Sequence, residues 1–422
     1  MDICITPAPL GGREQAVPSK SHAHRLLLCA ALCRESTLLH IPAPSADILV
    51  TMDCLRALGC QIDSLPGGDF RLTPPEHFSP SPALFCRESG STLRFLLPVA
   101  AALGSEARFS GEGRLPERPL EPLLTQLMEH GAAFSAPSLP FTLSGKLKGG
   151  VFALPGDVSS QYITGLLLAA PLMAEGCEIL LTSPLQSAPY VEMTLSAMAQ
   201  FGVTVEKTSQ GFRVAPGQHY QSPGPVTAEG DWSGAAFFLC AGALGGPVTV
   251  SGLAPRSSQG DKAVADILRD MGAILSWDGD ALTVSRGALR AVTVDSAPIP
   301  DLIPVLALTA AFCEGESRFT NTGRLRLKES DRLSAICRMI VDLGGTAFCE
   351  GDTLIVRGGT LRGGTVHSGG DHRMAMAAAV AACLCQQPVM IEQAQAVDKS
   401  YPSFWEEYSK RGGKTHELHL RL

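Results

Sequence analysis

The chain has 422 residues, of which 45% are hydrophobic, and a net charge of -7 with an isoelectric point of about 5.8. That length suits two domains, each able to bury a core, and the acidic balance speaks against nucleic acid, because phosphate-backbone binding needs a basic footprint. The longest apolar runs, residues 302–313 and 374–385, fall short of the roughly 18 to 20 needed to cross a bilayer, and Asp2 stands where a signal peptide would be basic, so a cytoplasmic chain without a membrane partner is expected.

Read from the N-terminus, one pattern recurs at a spacing of roughly 70 residues. A polar or glycine-bearing opening leads into a helix rich in Ala and Leu, at Ser19, Glu88, Asp157, Asp231, Pro300 and Gly370. A short strand follows each helix (STLLHI, ARFSGEG, EILLTS, PVTVSG, SRFTNTG, PVMIEQ). Second helices come next, mostly closing on a glycine that can take the left-handed position, and strand pairs with Gly-containing turns complete the units. The predicted fold class is α/β, built from β-α-β-α-β-β repeats. Three repeats fall in residues 20–227 and three in residues 228–422. The first 19 residues are assigned to the second domain, because its strand count is then complete. Chain crossings near residues 17–20 and 226–230 would form a two-stranded hinge.

The 13 cysteines include no CxxC pair and lie mostly in apolar runs, so buried free thiols are expected. No HExxH or Cys/His ligand spacing occurs, and no metal site is assigned.

Chemistry concentrates at the helix openings. Lys20, Ser21 and Arg25 stand at the first, Gly90 and Ser91 at the second, Ser159, Ser160 and Gln161 at the third, Asp301 at the fifth and His372-Arg373 at the sixth. Arg118, Lys399 and the stretch RLRLKESDR at 324–332 add cations beyond what an acidic surface requires. That stretch alternates Arg324, Arg326 and Lys328, which predicts an extended segment with all three on one side, running into a helix that starts near Arg332. Cations beside unpaired helix N–H groups suit phosphate or carboxylate, and Glu329 among them is a candidate acid or base. Taken singly, each serine could be a helix cap, Asp301 could cap its own helix, and the charged stretch could be a solvated surface. Together they point to an anionic ligand held by both domains.

PSKSHAHR, ESGSTLRF, GRLPERPL, GDVSSQY, RLRLKESDR and GDHRMAM, in this order along nearly the whole chain, resemble the motifs of the 5-enolpyruvylshikimate-3-phosphate synthases. The resemblance implies an inside-out α/β barrel of two similar domains. It also implies transfer of enolpyruvate from phosphoenolpyruvate to the 5-hydroxyl of shikimate 3-phosphate with release of phosphate, no cofactor, and inhibition by glyphosate. A monomer is expected. Carried over by motif, Lys20, Ser21, Arg25, Ser159, Ser160, Gln161, Ser187, Tyr190, Asp301 and Lys328 would contact shikimate 3-phosphate. Lys20, Gly90, Arg118, Gln161, Arg332, Arg373 and Lys399 would contact phosphoenolpyruvate. Asp301, Glu329 and Lys20 would move protons. The chain departs from the family pattern at Arg324 and Glu88, where asparagine is usual, and at Phe95, where proline is common. A sister transferase acting on UDP-N-acetylglucosamine uses a loop cysteine, whereas SGEGRLPERPL at 110–120 has none. A non-catalytic binder of a phosphorylated metabolite would not need Asp301 and Glu329 facing the same anions.

Overall fold

The structure is a computed structural model that describes residues 1–418. The chain forms two compact units, Lys20–Ala228 and Met1–Ser19 with the residues from Glu229 onward. The described residues build six four-stranded sheets, three in each unit. All six share one plan. In one, Ala83–Phe85 runs parallel to Ala107–Ser110, which is antiparallel to Phe141–Gly145, which is antiparallel to Ala132–Phe134.

The first helix of each repeat carries apolar or small residues on nearly every face, so it cannot be a surface helix. The helices Lys20–Ala31, Gly90–Leu103 and Ser160–Ala169 are almost wholly buried in one unit, as are Trp232–Leu244, Ile303–Ala310 and His372–Ala382 in the other. Each unit is therefore an inside-out α/β barrel, with helices forming the core and sheets the outside. Small residues set how closely those helices approach. A Cβ on Gly165 would lie 2.3 Å from the backbone oxygen of Arg94, so only glycine fits where the second and third buried helices meet. None of the described helices is long and apolar enough to cross a membrane.

Two strands leave the repeat that their sequence position suggests. Gly12–Gln15 precedes the Lys20 helix but pairs in parallel with Val248–Ser251, whereas Val226–Thr227 precedes the Trp232 helix but pairs in parallel with Thr37–His40. The opening strand Asp2–Thr6 lies between Val389–Glu392 and Lys414–Leu418. Beyond the exchanged strands, the connecting segments run antiparallel, with a bridge between Pro18 and Gly230, a 2.7 Å bond from Ser19 N to Glu229 O and another of 2.7 Å from Asp231 N to Val17 O.

One expectation is overturned. Residues Gly323–Leu327 form a 3-10 helix, and Lys328 alone begins the extended turn into the helix Arg332–Asp342. In a strand, Leu325 and Leu327 would share a face. Here Leu325 is 1% exposed and Leu327 52% exposed. The preceding strand ends at Thr320, and Asn321 takes a left-handed conformation that turns the chain off the sheet. Arg324, Arg326 and Lys328 thus do not form one ridge: Arg326 pairs with Asp331 and Lys328 with Asp301.

Candidate active site

In the unit containing Glu229 onward, the polar network centres on Arg332, the first residue of its helix and 1% exposed. Its Nε donates to Asp371 Oδ2 at 2.8 Å, Nη1 to Asp301 Oδ1 at 2.7 Å, and Nη2 to Glu329 Oε2 at 2.7 Å and Asp371 Oδ1 at 3.3 Å. Burial works against the charge of Arg332, but Asp371, Glu329 and Asp301 outweigh it and hold its pKa well above the ordinary value. Burial likewise pushes Asp371 up, while Arg332 and other neighbours bring it below the ordinary carboxylate value.

Asp301 does not cap its helix. The N-cap position belongs to Leu302, and the Asp301 carboxylate turns to three cations: Arg332, Arg373 Nη2 at 3.1 Å and Lys328 Nζ at 3.3 Å. Burial lowers the pKa of Lys328, which Asp301 partly offsets. Arg373 also donates through Nη1 to Ser233 Oγ at 2.6 Å, and Lys399 Nζ donates to Gly370 O at 2.8 Å, just before the sixth buried helix. The structure therefore brings together Asp301, Glu329 and Asp371 around Arg332, with Lys328 and Arg373 on Asp301 and Lys399 on Gly370 before the sixth buried helix.

In the unit Lys20–Ala228, Lys20 opens its helix and pairs with Asp47 Oδ2 at 3.0 Å. Arg25, one turn on, is buried, with no carboxylate paired to it among the described residues. Its Nε donates to Thr194 Oγ1 at 2.8 Å, Nη1 to Ser21 O at 2.5 Å and Nη2 to Tyr190 O at 2.8 Å, and the guanidinium lies over the Phe95 ring. Burial lowers its pKa to about 10, which leaves it charged at neutral pH. Ser187 takes a left-handed conformation at the start of the helix Ala188–Gln200 that carries Tyr190.

Gly90, Ser91, Arg94, Arg118 and Gln161 form a second group. Gln161 accepts from Arg94 Nη1 at 3.0 Å and donates to Ser91 Oγ at 2.9 Å. A Cβ on Gly90 would sit 2.5 Å from Arg94 Nη1 and 2.6 Å from Arg118 Nη1, so two guanidinium groups crowd that backbone. Ser159 caps the third buried helix by accepting from Gln161 N at 3.3 Å, and Ser160 is the first residue inside it.

Sequence reasoning missed Asp371, Ser233 and Asp47. Asp371 had a local signal, since Asp before a helix is a favoured cap, and its side chain does accept from Arg373 N at 3.0 Å. Its pairing with Arg332 spans 39 residues and had none.

The sequence pattern of EPSP synthase (3-phosphoshikimate 1-carboxyvinyltransferase) matches residues 6–408. The chain belongs to the EPSP synthase family. Curated family relatives named 3-phosphoshikimate 1-carboxyvinyltransferase include one from Clostridium kluyveri, 39% identical over 98% of both chains. Another, from Methanocorpusculum labreanum, is 38% identical over 99% of this chain and 100% of its own. Among solved structures, an EPSP synthase from Acinetobacter baumannii superposes with a TM-score of 0.81, covering 99% of this chain and 100% of its own at 22% identity, which supports the shared fold.

Proposed function

We propose that the chain is a 3-phosphoshikimate 1-carboxyvinyltransferase, moving enolpyruvate from phosphoenolpyruvate to the 5-hydroxyl of shikimate 3-phosphate. Family membership supports the reaction class. The observation that carries the chemistry is Asp301, a carboxylate held by Lys328, Arg332 and Arg373, with Glu329 on the other terminal nitrogen of the Arg332 guanidinium. Addition of the hydroxyl oxygen to C2 of phosphoenolpyruvate requires a proton delivered to C3 and one removed from the hydroxyl. Loss of phosphate and of one methyl proton then restores the double bond. Asp301, Glu329 and Lys20 divide these transfers in this reading.

Phosphoenolpyruvate binds through Lys20, Gly90, Arg118, Gln161, Arg332, Arg373 and Lys399, where guanidinium forks match its carboxylate and phosphate. Shikimate 3-phosphate binds through Lys20, Ser21, Arg25, Ser159, Ser160, Gln161, Ser187, Tyr190, Asp301 and Lys328. Arg332 makes four hydrogen bonds to carboxylates, which leaves one of its five N–H groups for substrate. Both units supply ligands, so residues 17–20 and 226–230 act as the hinge of a cytoplasmic monomer. No cofactor takes part.

The test is phosphate release from phosphoenolpyruvate with each acceptor. Release with shikimate 3-phosphate and none with UDP-N-acetylglucosamine is expected. Release with the nucleotide sugar would assign the sister activity, and binding without release a non-catalytic role.

A further inference from the structure

We infer that Cys337 and Cys349 form a reversible dithiol/disulfide site: in contact across one corner between a helix and a strand, they are oxidised by a low-molecular-weight disulfide and staple the helix that begins at Arg332 to its own sheet. Neither cysteine belongs to the proposed substrate-binding set, so the site stands whether or not the chain carries out the transfer.

Of the 13 cysteines, all within the described residues, ten are buried, Cys4 and Cys337 are half-buried, and Cys349 is exposed. The Sγ atoms of Cys337 and Cys349 lie 3.5 Å apart. Their contact follows from the two elements that carry them. On the helix Arg332–Asp342, Leu333, Ile336 and Ile340 are buried at helical spacing. Cys337, four residues after Leu333 and three before Ile340, lies on the edge of that apolar stripe. On the strand Thr346–Glu350, alternation puts Cys349 on the same face as Ala347, which packs in the core. This strand is at the edge of its sheet, which leaves Cys349 open to solvent. Between the two elements the chain turns tightly, with Gly344 N donating to Val341 O and Gly345 N to Ile340 O, both at 2.8 Å. The backbone therefore holds the two thiols against each other.

A buried thiol behaves as a small apolar side chain, whereas an exposed thiol touching a second one is placed for exchange. Cys349 is the sulfur that a disulfide RSSR in solution reaches. Its thiolate attacks one sulfur of RSSR, forming Cys349–S–SR and releasing the first RS⁻. The Cys337 thiolate then attacks the Cys349 sulfur, forming the bond between the two cysteines and releasing the second RS⁻. The protons lost by the two protein thiols end on the two released thiols, so the pair is oxidised and one RSSR is reduced to two RSH. Burial, then Cys349 itself, push Cys337 up to about 12, with Arg326 opposing and Asp331 adding, so Cys337 acts second. Excess thiol runs the exchange backwards and restores the pair. The bond joins residues 12 apart in sequence, and closing such a loop removes freedom from the unfolded chain. What it secures is the helix whose first residue, Arg332, gathers Asp301, Glu329 and Asp371.

The experiment treats the reduced full chain with 2-hydroxyethyl disulfide, an uncharged probe, in the absence of denaturant, and follows intact mass and a non-reducing peptide map. Wild type should lose two hydrogens, keep no adduct, form no covalent dimer and yield a linked peptide pair containing Cys337 and Cys349. Dithiothreitol should reverse the change. Cys337→Ser should stop with one adduct held on Cys349, because the second step has lost its thiol. Cys349→Ser should leave Cys337 unmodified over the time in which wild type reacts. The urea midpoint should rise on oxidation of wild type and in neither variant.

A wild type that keeps its thiols, an adduct that persists on its Cys349, a link to Cys4 or between two chains, or no adduct in Cys337→Ser would each overturn the inference. Should either variant fail to fold, the peptide map of the wild type decides alone.

Discussion

Arg332 shows how one buried cation orders a site. Asp371 is fully buried against it, so removing that charge leaves Arg332 with less compensation in a poorly solvated place. Asp371→Asn is expected to destabilise the protein by about 3–5 kcal/mol at neutral pH, as read from urea unfolding. The sign follows from the pKa of Asp371, which is depressed in the folded state. Its contribution is present above the unfolded-state value and lost as pH falls through the folded-state value. The gap between variant and wild type should therefore close in acid, and a gap constant with pH would contradict this account of Asp371.

Glu329 has a different part, since it is a quarter exposed and contacts the same guanidinium from outside. Glu329→Gln should reduce kcat by about 10²- to 10⁴-fold while leaving shikimate 3-phosphate affinity within a small factor by calorimetry. Loss of affinity in proportion to rate would make Glu329 a charge-balancing residue. The motifs made Asp301, Glu329, Arg332 and Arg373 legible as a group in sequence. What they did not give was the grip of Asp371 on Arg332 or of Asp47 on Lys20, because both contacts join separate helices over 39 and 27 residues.

Among the elements, the helix that opens at Gly90 starts against two guanidinium groups. The atoms that an added methyl would meet are the ends of two arginine side chains, not backbone, so Gly90→Ala should fold but displace Arg94 and Arg118. Glyphosate inhibition should be competitive with phosphoenolpyruvate, and the substitution should raise the inhibition constant more than the substrate KM, because a methyl group penalises the bulkier ligand more. Equal losses for both would make the glycine purely structural. Buried helices and hairpins were legible from apolar content and glycine stops. Residues 324–328 were misread because Arg and Leu alternate there with the period of a strand, a pattern that a 3-10 turn with one buried leucine also satisfies. No local signal separates the two when the deciding fact is that the neighbouring strand has already ended.

For the whole molecule, sequence periodicity pointed to six repeats and the strand count to a discontinuous second domain, but nothing in the sequence foretold the exchange of Gly12–Gln15 and Val226–Thr227 between sheets. Strand partners far apart in sequence leave no mark on either strand's own composition. We expect the two connecting segments to work as a hinge, so saturating shikimate 3-phosphate should reduce the radius of gyration in small-angle scattering. An unchanged radius would argue against closure driven by this ligand.

Addition and elimination at phosphoenolpyruvate, with protein carboxylates moving the protons, can be followed by turnover in deuterium oxide. Wild type should release one phosphate for each shikimate 3-phosphate consumed and yield an enolpyruvyl ether with deuterium in its vinyl methylene group, seen by NMR. In Glu329→Gln or Asp301→Ala both phosphate release and deuterium incorporation should fall together. A product formed by wild type with no deuterium in that group would contradict the account.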